Sequence, residues 1–150
     1  MALAIATVAD SISKLSVSGL TLKDIDEIPA TGDKRAPLLI PAPEYITGAT
    51  FTPESFGETT GFKTVQYTLN YRLLYAAIGT GRTMTLEQFA GLVAMVAAIW
   101  DAVLADSTIT GCVDIIPEGV SGVGGAVSDP GGGNWWGCDL GFRVTEYVNA

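Results

Sequence analysis

The chain contains no histidine. Without it there is no Ser-His-Asp or Cys-His nucleophile arrangement, no His-based zinc site, and not the commonest general base. Neither a G-x-S-x-G sequence nor a Gly-Lys dipeptide occurs, which excludes the hydrolase elbow and the P-loop. Charge is scarce as well: Asp, Glu, Lys and Arg make up 16% of the residues, below the usual share of about a quarter. A chain this poor in charge often hides part of its surface against partners. Basic residues are the scarcer sign, 8 against 16 acidic ones, for a formal charge of -8. That balance argues against a tight nucleic-acid binder, which needs a basic stripe to replace phosphate counterions. An acidic wall would instead repel phosphates and let DNA slide past.

Cysteine is limited to Cys112 and Cys138, too few for a disulfide framework. They are read as reduced thiols packing as small hydrophobes, with a cross-strand disulfide as the alternative. A metal pair would lack any further Cys or His to complete it. The apolar start, Met1 to Asp10, has no basic region of the kind a secretory signal needs, so no targeting signal is expected. The longest uncharged apolar segment, Gln88 to Trp100, falls short of the ~20 residues a bilayer takes, so no membrane span is expected.

What is present suffices for one domain. At 150 residues, 48% of them apolar, the chain can build one core without metal or disulfide staples. Ile5, Val8, Ile12 and Leu15 recur at three- and four-residue steps and predict a helix over 2–15, ended by Gly19. Leu20 to Pro29 is extended in character, and Asp33-Lys34-Arg35 is a polar turn. Pro37-Leu38-Leu39-Ile40-Pro41-Ala42-Pro43 predicts a short strand bracketed by prolines, at a sheet edge or cut to a few residues. Gly48, Pro53, Gly57 and Gly61 interrupt any period over 44–61, which reads as a long loop or arm reaching a partner, or as a plain surface loop.

The clearest strand follows: Val65, Tyr67, Leu69, Tyr71, Leu73 and Tyr75 alternate with Thr64, Gln66, Thr68, Asn70, Arg72 and Leu74. Thr85-Leu86-Glu87-Gln88 matches a capping box and opens a helix over about 86–105. Its apolar stripe is read as Leu86, Phe89, Val93, Val96, Trp100, Val103 and Leu104, with Ala90, Ala94, Ala97, Ala98 and Ala102 allowing close approach to the sheet. Residues 108–116 and 135–148 predict an antiparallel hairpin whose tip, 117–133, is a flexible glycine-rich loop. The expected fold is α+β: an antiparallel sheet with the long helix and the N-terminal helix packed on one face.

Asp24, Asp26 and Glu27 form the one tight acidic cluster, but Ile28-Pro29 stand where an EF-hand loop would turn on glycine, and a solvated edge is the reading. An unrecognised carboxylate enzyme around these residues is the weakest alternative. No catalytic, cofactor-binding or metal residue is nominated. Trp135-Trp136 is an aromatic pair whose members point to opposite faces of a strand, either as partner anchors or with one indole capping the core. The candidate subunit or partner contacts are Trp135, Trp136, Phe51, Phe56, Lys34 and Arg35.

An amphipathic first helix, a Pro-bracketed Leu-Leu-Ile strand, a Tyr/Leu-alternating strand ending in Ala-Ala-Ile-Gly, a capped helix and the closing run Gly137 to Val148 together resemble the tail terminator proteins of long-tailed bacteriophages. The resemblance covers most of the chain as a pattern. It implies a virion protein with no catalytic residues and no cofactor, assembled in the host cytoplasm. Such a protein forms a ring, a hexamer in the family, that caps the tail tube and joins it to the neck or head connector, with DNA passing through unread. The 44–61 arm and the 117–133 loop are long for the pattern, which keeps another neck or head-closure ring as the near alternative. A monomeric ligand- or peptide-binding module is the alternative from another class.

Overall fold

The computed structural model describes residues 4–22, 37–53, 62–78, 86–105, 113–128 and 133–149. Their elements are α1 (Ile5–Ser13), β1 (Thr21–Leu22), β2 (Leu38–Pro53), β3 (Phe62–Ala77), α2 (Leu86–Ala105), β4 (Val113–Ser128) and β5 (Asn134–Asn149). The strands form one five-stranded sheet in the order β1-β2-β3-β5-β4. The sheet is mixed, not wholly antiparallel as expected: Thr21 and Leu22 pair in parallel with Leu38 and Leu39. Adjacent parallel strands need a connection of about a dozen residues, which the stretch between β1 and β2 supplies.

Two expected loops are strands. Residues 44–53 continue β2 as far as Pro53, and 117–128 belong to β4. In both, turn-forming residues are absorbed by bulges. Register shifts fall between Pro41 and Ile46 and between Thr47 and Thr50 in β2. In β4 they fall between Pro117 and Gly119 and between Ser121 and Gly125. Gly48, Gly122 and Gly124 take positive φ there, a conformation only glycine adopts without strain. Residues 54–61, 108–112 and 129–132, and Thr85 of the expected capping box, lie outside the described residues.

Alternation along β3 and β5 separates two faces. Val65, Tyr67, Leu69, Tyr71 and Leu73 share an apolar cluster with Cys138, Leu140, Phe142 and Val144, their cross-strand partners or diagonal neighbours. Val8 and Ile12 of α1 and Leu92, Val96, Ile99 and Val103 of α2 belong to the same cluster. The inward stripe of α2 therefore overlaps the expected one only in part: Val96, Trp100 and Val103, with Ala98 and Ala102, do face the core. Phe89, Val93 and Leu104 are 48%, 46% and 57% exposed, and Ala90, Ala94 and Ala97 point outward as well. The helix is apolar on nearly every side, so no single 3.6-residue period marks which side is buried. Over Gln88–Ala105 its mean hydropathy is 1.8, long and apolar enough by length and composition to cross a membrane, and only 22% of that segment is buried. The sequence estimate stopped at Asp101, the one acidic residue inside the segment.

On the opposite face Leu38, Ile40, Leu74 and Trp135 form a second, smaller apolar cluster at one end of the sheet. Most of the rest of that face is polar, with Ile116 and Tyr147 exposed on it opposite Arg143 and Thr64.

Candidate functional site

The polar face is built by the outward positions of β3 and β5. Arg72 Nε donates to Asp139 Oδ1 at 2.8 Å and Nη2 to Oδ2 at 3.0 Å, a fork across directly opposed residues. Nη1 reaches the Ser128 carbonyl of β4 at 3.2 Å. The hydrogen bond to Asp139 holds the guanidinium above its ordinary pKa against the opposing effect of burial. Beside it Asn70 Nδ2 donates to the Glu44 carbonyl at 3.1 Å and to Thr47 Oγ1 at 2.8 Å. Thr68 donates to Glu118, and Arg143 donates to the Gly48 carbonyl, Thr68 Oγ1 and Gln66 Oε1 at 3.2, 3.3 and 3.2 Å. An open cleft of about 460 Å³ runs over Glu44, Asn70, Arg72 and Asp139. Asn70, Arg72 and Asp139, which line it, are already paired as described. The network ties four strands in register.

Among the described residues the helix side holds one buried acid, Glu146, 3% exposed. Its Oε1 accepts the Ala4 N–H at 2.6 Å and its Oε2 the Tyr67 hydroxyl at 2.6 Å. Ala4 directly precedes α1, and α1 carries no side-chain cap of its own, so Glu146 satisfies an amide at its start. Burial and then this carboxylate push the Tyr67 phenol well above its ordinary value. The residue was legible in principle: counting by twos from Cys138 through Val144 lands on Glu146, an acid at a core position.

Of the candidate contacts, Phe51 lies on β2 and is 65% exposed. Trp135 is 6% exposed against Leu38, Ile40 and Leu74, while Trp136, on the other face, is half-buried. Phe56, Lys34, Arg35 and the Asp24-Asp26-Glu27 cluster lie outside the described residues. Cys138 is a free, fully buried thiol that burial, and secondarily Asp139, push up to about 12. Cys112 is outside the described residues. Among the described residues no three His, Cys, Asp or Glu side chains converge as a metal site.

Among the described residues, large apolar side chains are exposed on β2 and on α2. Phe51 pairs across the sheet with Val65, and Ile46, 45% exposed, with Leu69. Both therefore continue the helix-side face onto β2. The outward side of α2 is the other such surface, and α2 lies along β4, at the far flank of the sheet. The strand edges are guarded by contrast. β2, which β1 covers only at Leu38 and Leu39, carries Pro41 and Pro43, β4 carries Pro117, and both are bulged, devices that stop edge-to-edge growth. No model of a known protein family matches the chain, and no curated protein matches it.

Proposed function

We propose that this chain is a structural virion protein that assembles into a ring, a tail terminator capping a phage tail tube and joining it to the neck connector. The single observation that carries the reading is the outward side of α2. Phe89, Val93 and Leu104 are about half exposed on a helix whose described outward side carries Asp101 as its only charge. Such a surface calls for a protein cover. Lipid is a poor cover, because the opposite side of the same helix is locked into the core through Leu92, Val96, Ile99 and Val103. Asp101 would also be costly in a membrane.

On this reading both helices layer on one side of the sheet, and the chain carries no catalytic centre or cofactor. The self-paired polar face and the acidic balance suit a wall past which DNA slides without being held. Neighbours would be further copies, the tube protein and the connector.

Size exclusion with light scattering over a wide concentration range tests it. A species near six times the 15.6 kDa monomer, or a steady shift toward one, is the expected result, with rings visible by electron microscopy. A strict monomer at high concentration, with no binding to purified tail tubes, overturns it.

A further inference from the structure

We infer that the outward side of α2 in one copy docks onto the uncovered helix-side surface of β2, around Ile46 and Phe51, in the next copy; this rests on the ring reading above. The two surfaces are different and sit at opposite flanks of the same sheet, α2 along β4 and the other on β2. A contact between two different patches is heterologous, and repeated head to tail it closes a ring when the rotation allows. The strand edges at the same flanks are blunted by prolines and bulges, so backbone pairing between copies is disfavoured and side-chain packing is left to join them.

Ala90, Ala94 and Ala97 set a row of small exposed side chains along α2, with Phe89 and Val93 along one side of it. Phe51, 65% exposed, supplies a ring large enough to pack over that row. The two patches present on the order of 600 Å² of apolar surface. With interfaces a little over half apolar, the joined area reaches on the order of 1,000 Å², the size a specific contact needs. Asp101 follows Ala97 in the same row, so the packing over that row ends before it, at the polar rim.

The test uses the full chain with Val93→Asp and Phe51→Asp, each at a position already exposed in the protomer, so circular dichroism and melting should be unchanged. Each variant alone should need about thirtyfold or more protein to assemble, the effect of placing an unpaired charge in a hot spot. Mixed in equal amounts they should form a dimer and nothing larger. The intact α2 of one variant meets the intact β2 of the other, and no second junction is possible. Assembly of either variant at wild-type concentrations, or failure of the mixture to dimerise while wild type still forms rings, overturns the docking and leaves the ring reading standing. A wild-type chain that never assembles removes both. A wild-type chain that instead floats with phosphatidylcholine–phosphatidylglycerol vesicles, lost in Val93→Asp, overturns the docking in favour of a membrane surface.

Discussion

Tyr67 and Glu146 meet beneath the start of α1, the hydroxyl donating to the carboxylate at 2.6 Å while the second carboxylate oxygen takes the Ala4 amide. The bond joins β3 to β5 and fixes where the first helix begins. Replacing Glu146 by Ala strands one buried and one half-buried donor, the first costing about 1–3 kcal/mol and the second less, and should lower stability by about 2–3 kcal/mol in urea unfolding. Tyr67→Phe removes one donor and leaves the carboxylate its other partner, so the loss should be about 1–2 kcal/mol. In the double variant the two effects should fall short of additive, which is the signature of direct coupling.

The same pair sets behaviour at high pH. The Tyr67 phenol is raised in the folded state and ordinary, ~10, in the unfolded chain. The unfolded state therefore loses its proton first as the pH climbs, and its contribution to stability is full below about pH 10 and falls above it. Ultraviolet titration should find Tyr67 silent until the chain unfolds, so that Tyr67→Phe removes one silent group from the native titration.

Cys138 should be inert. With its thiol fully buried and pushed up to about 12, almost no thiolate exists at pH 8. In a Cys112→Ser background, a thiol reagent should leave the native chain unlabelled and label it stoichiometrically in denaturant. Rapid labelling of the native chain would contradict the burial described.

Two glycines differ in what their replacement meets. A methyl at Gly137 would run into the backbone carbonyl of Leu73, which is fixed in the paired strand, whereas one at Gly91 would meet only the hydroxyl end of Tyr75. Gly137→Ala should cost about 3 kcal/mol or more, since the two strands must separate. Gly91→Ala should stay within about 1 kcal/mol of wild type, because the Tyr75 tip can swing aside and alanine gains in helix propensity. Thermal melts of the two variants decide the contrast.

Elements governed by one unbroken period were legible in the sequence. β3 and β5 alternate cleanly because both of their edges are paired and both run deep in the sheet. α2 matched the expected bounds, 86–105. The continuations of β2 over 44–53 and of β4 over 117–128 escaped because an edge strand needs its N–H groups on one side only. Pro41, Pro43 and Pro117 are tolerable there, and each bulge resets the alternation on which a strand reading depends. The orientation of α2 was illegible for another reason. A helix apolar on two sides gives no contrast, and the outward alanines were taken to face the sheet. Glu146 could have been found by period alone, whereas the pairing of Arg72 with Asp139 depends on a register between residues 67 apart.

β5 follows every other described element along the chain, yet it lies between β3 and β4 in the sheet. During synthesis, β2, β3, α2 and β4 all leave the ribosome before the strand that unites them exists. The pieces of the apolar cluster contributed by Cys138, Leu140, Phe142 and Val144 arrive last, so the core cannot close stepwise from the N-terminal side. The chain must wait, with its longest-range contacts formed at the end and at the slow pace such contacts impose. A ribosome that stalls before Asn134 would release a product with β3 and β4 disconnected and the greasy helix uncovered, a ready client for chaperones and proteases.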